Sequence, residues 1–503
     1  MNPFPRKPFP FYALLLSSIL LLFTFLYRII DTSKILRFFP LDAVNDLSSY
    51  MAQLFFLHTC GFHVHCPYWY GGFTNFLFQA PGWYFFTSPL YLLFHDVTLA
   101  TYLSLLLIIF IAFLIILFLY KKLQFSLLQR IALFSLFFGN AIAIGNFIRL
   151  GRVHELLAWV IFLAFAVFFL SSEKPLRPSF IFTGILYALI ILCNPNVAIL
   201  ASLFYVSLFL IKPSLQERTW IVLSALLGIT LSSFWWYPFL INLSQSFIVG
   251  ENLGAHSLVF NNLLLPTHII TSLIMIVFIF LYLISRRHNS AISLFYLPFF
   301  ILSLLVLSKL ISFIPVLDDL LIDYYNVLFI FLIIILLYRS HFLSKKITTF
   351  LYTGIILASL ISVGYTFFIT PSLPVPDADV QDVTSLLPYA YGNFIIHGTF
   401  PQTLYSKAIY SYAPIYHNLT TPAGWYPHVA SQTYNAHLVY LLEHLGKDCS
   451  STTTLLSDWN ITSVLSSQET CAFYANCGFT NMTTRGNFCV INTSLPQEPT
   501  RSI

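Results

Sequence analysis

Five side chains able to handle protons fall at helical spacing near the start of the chain: Asp42, Asn45, Asp46, Ser49 and Tyr50. Steps of three, four or seven put them on roughly one face, if the stretch Phe39–Tyr50 is helical. A carboxylate on that face, just beyond a membrane helix, can take a proton from an attacking hydroxyl while a phosphate departs. Asp46 and Asp42 are the two candidate bases. The plainer alternative is that one of them caps the helix. That role suits Asp42 better, because Asp46 lies further into the apolar pattern.

A second set is Arg149-Leu-Gly-Arg152-Val-His154-Glu155. Guanidinium forks match phosphate oxygens, which makes Arg149 and Arg152 candidate phosphate ligands. The structural alternative is interfacial anchoring, or pairing with Glu155 across one turn. His154 beside Glu155 could tune a proton relay, although a lone histidine is more often simply hydrogen-bonded. Trp235, Trp236 and Tyr237 offer an aromatic surface to a sugar ring or a prenyl chain, and an ordinary interfacial belt is the competing reading. Asp318, Asp319 and Asp323 form an acidic cluster whose default reading is solvated loop carboxylates. Two thiols and two imidazoles gather in Cys60-Gly-Phe-His63-Val-His65-Cys66, but in an oxidising space a disulfide outweighs zinc. No metal ligand is assigned.

These residues need elements to hold them, and composition says which. The 503 residues are 58% apolar and 9% charged, with mean hydropathy +0.81. A soluble domain carries about 25% charged residues. The expected fold class is an α-helical polytopic membrane protein, with about eleven transmembrane helices and a C-terminal extracytosolic α+β domain. Apolar runs place spans near 9–30, 97–120, 131–148, 155–171, 179–193, 197–211, 219–237, 268–285, 291–310, 324–338 and 347–368. Asn194-Pro195-Asn196 is either a tight hairpin or a break in one long helix. The run Phe9–Ile30 is too long for a cleaved signal peptide and reads as a retained helix. Residues 1–370 are expected to form the membrane domain, with a large first outer loop at 31–96. Residues 371–503 follow the linker Pro371–Pro376 as a soluble domain, with strands expected at Ser463–Ser466 and Asn487–Asn492.

Charge supports one orientation. Arg6, Lys7, Lys121, Lys122, Arg130, Lys174, Arg177, Lys212, Arg218, Arg286, Arg287, Arg339, Lys345 and Lys346 crowd the short loops of one face, where Glu173 and Glu217 supply the acid. The positive-inside rule makes that face cytosolic, with the N-terminus inside and the C-terminal domain outside a cell membrane. Segregated charge also makes nucleic acid a poor partner despite the basic balance. Cys60, Cys66, Cys449, Cys471, Cys477 and Cys489 then lie outside. Cys60–Cys66 is the natural local disulfide, and the pairing of the other four is open. Sequons begin at Asn418, Asn460, Asn481 and Asn492, with another at Asn242. Glycine-rich phosphate loops are absent from the cytosolic segments, which argues against a nucleotide-sugar donor there.

A first helix, an acidic outer loop, then Pro67-Tyr-Trp-Tyr-Gly-Gly72, Phe78-Gln-Ala-Pro-Gly-Trp83 and Ser88-Pro-Leu-Tyr91 follow in that order. With Arg149–Glu155 and Ser232–Phe239, this order resembles the GT-C glycosyltransferase superfamily. Thr454–Ser466 and Gly486–Asn492 resemble the last strands of 6-pyruvoyl-tetrahydropterin-synthase-related and YfhO-like membrane proteins. The resemblance implies transfer of a sugar from a polyprenyl-phosphate-linked donor to a glycan, lipid or protein acceptor on the outer face, in contact with membrane lipid. It also implies an acidic base in the first outer loop, four residues before an aromatic. Asp46 with Tyr50 matches that spacing and Asp42 does not. Many members carry paired acids in this loop and an acidic dyad in the second. Here Leu47 follows Asp46 and the second loop offers Glu155, so a divalent cation is left as an open option. Two other classes remain. A transporter of lipid-linked intermediates would need an ionisable path, yet the helix middles offer mainly Asn140, Asn146 and Asn194. A non-catalytic lipid- or glycan-binding assembly protein would need only the binding surfaces.

Overall fold

The computed structural model describes residues 9–171, 175–245, 265–287, 290–314, 317, 320–339, 344–401 and 403–493. Arg6, Lys7, Glu173, Lys174, Asp318 and Asp319 lie outside these residues.

Apolar runs become helices wherever a cap ends them. In chain order these are α1 (Phe9–Thr32), α2 (Leu47–Thr59), α3 (Gly82–Phe94), α4 (Val97–Phe118), α5 (Leu127–Phe138), α6 (Gly145–Arg149) and α7 (Val153–Leu170). Next come α8 (Thr183–Cys193), α9 (Pro195–Ile211), α10 (Leu215–Leu231), α11 (Ser233–Asn242), α12 (Leu265–Arg286), α13 (Ser290–Leu307), α14 (Ile322–Arg339) and α15 (Lys345–Gly364). Asp96 starts α4 by accepting the N–H groups of Thr98 and Leu99, and Ser126 with Gln129 closes a capping box on α5. Asn194 is extended and its side chain accepts the Val197 N–H, with Pro195 at the first turn of α9. Helices α8 and α9 are therefore two elements that pack on each other, not one kinked rod.

Among the described residues, five helices are long and apolar enough to cross a membrane, or six if the pair α10–α11, bent by 70°, is one span. Five more apolar helices are shorter. The chain is a multi-pass membrane protein. Two expected spans are reshaped. The run 131–148 stops at Phe138, because Gly139 lies against the backbone of Leu21, where a Cβ would come within 2.2 Å of its carbonyl oxygen. Asn140 then accepts the Ile142 N–H and turns the chain into the short α6. The run 219–237 breaks at Ser232, whose hydroxyl bonds back to the Gly228 carbonyl.

The outer layer is built from both ends of the sequence. After the linker come α16 (Ala378–Leu386), β3 (Phe394–His397), α17 (Ser406–His417), α18 (Gln432–His444), α19 (Cys449–Asp458), β4 (Ser463–Ser467), α20 (Gln468–Asn476), β5 (Met482–Arg485) and β6 (Phe488–Asn492); β1 (His65–Cys66) and β2 (Phe73–Thr74) pair in the first loop. The four-stranded sheet runs β3-β4-β6-β5, with β3 parallel to β4 and the other pairs antiparallel. Strands β4 and β6 fall where alternation placed them. The Cys60–Cys66 disulfide forms, and Cys449–Cys477 with Cys471–Cys489 complete the pairing. Asn418, Asn460 and Asn481 are exposed, whereas Asn492 is half-buried and its amide donates to the Tyr389 carbonyl.

One hydrophobic core serves the first loop and the tail together. Ala52, Phe56, Trp69 and Phe73 join Ile395, Ile409, Val464 and Val490 in it. Trp69 is fully buried and its indole donates to the Tyr410 carbonyl at 2.8 Å. A second tie lies at the end of α1. Arg28 donates to the carbonyls of Thr366 and Pro371 and pairs with Asp31. Asp31 accepts the Leu373 N–H, and Lys34 bridges Asp31 and the Leu373 carbonyl. These contacts fix where the tail begins.

Candidate functional site

The helix expected from Asp42 onward begins only at Leu47, which separates the two candidate bases. Asp42 closes a turn by accepting the Val44 N–H at 2.6 Å and is 3% exposed. Burial pushes its carboxyl up, against the pull of that N–H. Asn45 accepts the Leu47 N–H and so performs the local capping instead. Asp46 occupies the N-cap position, yet its carboxylate makes no cap bond. It accepts from Arg152 Nε at 3.2 Å, while its own backbone N–H donates to the Leu150 carbonyl at 2.9 Å. Its side chain keeps 31% of its surface open.

Gly151 makes that approach feasible. Its φ of +67° is left-handed, and a Cβ there would lie 2.5 Å from Leu47 Cγ. The second loop thus rests directly on the first turn of α2. Arg152 then lies between two carboxylates, with Glu155 at 3.8 Å on the other side. His154 is 3.8 Å from the same Glu155 oxygen, and its ring centroid is 4.9 Å from that of Tyr50. The second Glu155 oxygen and His154 Nδ1 are buried with no hydrogen-bond partner. Burial pushes the Tyr50 phenol well above its ordinary value, which keeps it a proton donor.

Two further parties arrive from distant sequence. Asp323, at the first turn of α14, accepts from Asn146 at 2.8 Å, and Asn146 accepts from Arg149 Nε at 2.9 Å. Thus Asp323 is half-buried and engaged, contrary to the reading as a solvated loop acid. Tyr426 of the tail donates to Ser49 Oγ at 2.7 Å, and Ser49 donates to the Asp46 carbonyl. Neither Asn146–Asp323 nor Tyr426 was paired with the first loop from sequence. The available signal was intramembrane polarity at Asn146, which names a residue but not its partner.

Similarity to solved structures can now be set beside this geometry. The chain superposes on the arabinofuranosyltransferase AftD from Mycobacteria with a TM-score of 0.53 at 12% identity, over 94% of this chain and 41% of AftD. This chain has a GT-C-like membrane glycosyltransferase fold. The oligosaccharyltransferase of Archaeoglobus fulgidus also matches, with a TM-score of 0.48 at 12% identity, over 96% of this chain and 75% of that one. No protein-family model matches the sequence, and no curated protein does.

Within the GT-C-like fold the aromatic pair takes structural contacts. Trp235 is buried and donates to the Phe76 carbonyl at 3.2 Å, and Trp236 donates to the Ile229 carbonyl at 2.8 Å. Neither has a hydrogen bond or ring contact with the Asp46 cluster among the described residues. Among those residues no three side chains of His, Cys, Asp and Glu group as a metal would require. His63 and His65 flank a closed disulfide.

Proposed function

We propose that the chain transfers a sugar from a polyprenyl-phosphate-linked donor to a glycan, lipid or protein acceptor, on the outer face of a cell membrane. In this reading the N-terminus is cytosolic, the tail is extracytosolic and residues 1–370 supply about eleven spans. The observation that carries it is the open carboxylate of Asp46, held by Arg152 where the first loop, the second loop and the tail meet in a GT-C-like fold.

The acceptor hydroxyl gives its proton to Asp46 as its oxygen bonds to the sugar's anomeric carbon. The bond from that carbon to the phosphate oxygen breaks, and the polyprenyl phosphate leaves with the electron pair. Arg152 keeps Asp46 ionised and aimed, so it is a positioning residue shared with Glu155. Among the described residues Arg149 bonds through Nε to Asn146, and the fork of its guanidinium is assigned to the departing phosphate. Asp42, committed to its turn, supports the loop. Trp235 and Trp236 hold the bent pair α10–α11 in place beside Phe76.

The test uses purified full-length protein and a radiolabelled polyprenyl-phosphate sugar. Asp46→Asn should lower transfer about 10²–10⁴-fold, the usual worth of a general base, while the unfolding temperature stays put. Wild-type rates in a folded Asp46→Asn protein would sink the proposal.

A further inference from the structure

A cavity of about 490 Å³ opens between the first loop and the tail, away from the Asp46 cluster. Its volume lies in the range of small-molecule sites. Tyr70, Phe400, Tyr405 and Lys407 line it, and Gly424 with Pro427 form part of its wall. Tyr70 comes from the Pro67–Gly72 motif of the first loop, and the others from the tail. The site therefore exists only because those two segments share a core.

Three observations define what would fit. First, tyrosine rings present both a flat apolar face and a hydroxyl, the combination that suits a pyranose with its axial C–H groups and peripheral hydroxyls. Second, among the described residues Lys407 is the sole charged residue of the lining and has no ion pair with a carboxylate. Its ammonium sits 6.0 Å from the Tyr405 ring centroid. Third, Lys407 stands in the first turn of α17, where the helix dipole disfavours a cation. The charge does not serve the helix. It is left for a ligand.

The wall also leads to the candidate base. Gly424 has no Cβ, and one there would come within 2.7 Å of Tyr70 Cε2, so this segment can lie flat on the first loop. Two residues on, Tyr426 reaches Ser49 beside Asp46, and Pro427 returns to the cavity. A ligand seated here ends one residue from a side chain in contact with the cluster.

We infer that this cavity binds an anionic saccharide, a pyranose whose carboxylate meets Lys407 while its ring lies on the tyrosines, as part of the acceptor. The acceptor role rests on the glycosyl-transfer reading; the binding does not. In this assignment the tail selects acidic glycans and presents a hydroxyl toward Asp46 along Ala423–Pro427.

Titrating the purified full-length protein in detergent with a hexuronic-acid disaccharide and with its neutral counterpart tests it. The acidic sugar should bind at least about tenfold more tightly, an advantage that shrinks with salt. Lys407→Glu should abolish the preference and Lys407→Arg should keep it, with unfolding temperatures close to wild type. Equal affinities, or a preference that survives Lys407→Glu, overturn the inference. Asp46→Asn separates the two proposals, because it should bind the acidic disaccharide as wild type does. Sugar transfer by a protein that ignores the uronide removes the cavity's role and leaves the function. Uronide binding without transfer from any polyprenyl-phosphate sugar removes the function and leaves the site.

Discussion

Two ionic clusters stand at helix ends, each built from basic and acidic side chains, and they differ in what their atoms do. At the end of α1, Arg28, Asp31 and Lys34 pair with one another and also reach backbone groups of the segment from Thr366 to Leu373. Around α2 and α7, Asp46, Arg152 and Glu155 meet one another, Arg149 is held by Asn146, and two polar atoms of His154 and Glu155 stay without hydrogen-bond partners among the described residues. A buried charge saturated by backbone is a fastening. A buried charge held by another side chain, with donors and acceptors left over, is costly unless something else is gained. That contrast assigns stability to the first cluster and chemistry to the second.

The largest effect should come from breaking the fastening. Arg28→Met leaves Asp31 buried beside one lysine and removes a donor from the carbonyls of Thr366 and Pro371. Loss of one partner of a buried pair costs about 3–5 kcal/mol, and thermal unfolding in detergent would register it. Transfer per folded molecule should be unchanged. If Arg28→Met instead abolished transfer in a folded protein, the two clusters would not differ as argued.

Gly151→Ala strikes the contact that brings the second loop onto α2. The left-handed backbone alone costs about 1–2 kcal/mol for a residue with a Cβ, and the clash with Leu47 adds to it. Arg152 would be displaced from Asp46, so stability and transfer should fall together, in contrast to Arg28→Met. A stable Gly151→Ala protein with full activity would mean that the Arg152–Asp46 pair is not needed.

Glu155→Gln separates the clusters the other way. The glutamine keeps the shape and removes a buried charge whose cationic partner, Arg152, is 3.8 Å away. Folding should be close to neutral, while loss of the negative charge beside Arg152 weakens its positioning. We expect transfer to fall about tenfold, equivalent to about 1.4 kcal/mol in the barrier. A drop in stability without a drop in rate would return Glu155 to a structural role.

How much of this was legible depends on the distance over which each pattern operates. The Cys60–Cys66 pair and the strands at Ser463 and Phe488 are set by neighbours a few residues away, and period or spacing shows them. The end of α5 at Phe138 depends on Gly139 meeting Leu21, and the role of Asp323 depends on Asn146. No local pattern encodes such pairings. Arg28 is set apart by no local pattern; its place depends on the carbonyls of Thr366 and Pro371, more than 300 residues away. Likewise the pairs Cys449–Cys477 and Cys471–Cys489 are chosen by the sheet and its helices, not by spacing.

The smallest effect concerns a half-buried group that belongs to neither cluster, and it tests whether acid acts on the ionic sites or on the core shared by the first loop and the tail. His428 follows Pro427, its ring centroid lies 5.3 Å from that of Tyr426, and burial depresses its pKa to about 4. In the unfolded chain an unperturbed histidine titrates near 6.5. Between about pH 6.5 and about pH 4 the unfolded state therefore binds a proton that the folded state refuses. Stability must fall as pH drops through that window and level off below it, by on the order of 1 kcal/mol for a ring that is only partly enclosed. Unfolding temperatures of the wild type measured from pH 7 to pH 4 should decline, and His428→Gln should flatten the curve. A decline that persists unchanged in His428→Gln would transfer the acid sensitivity to the carboxylates, and so to the clusters.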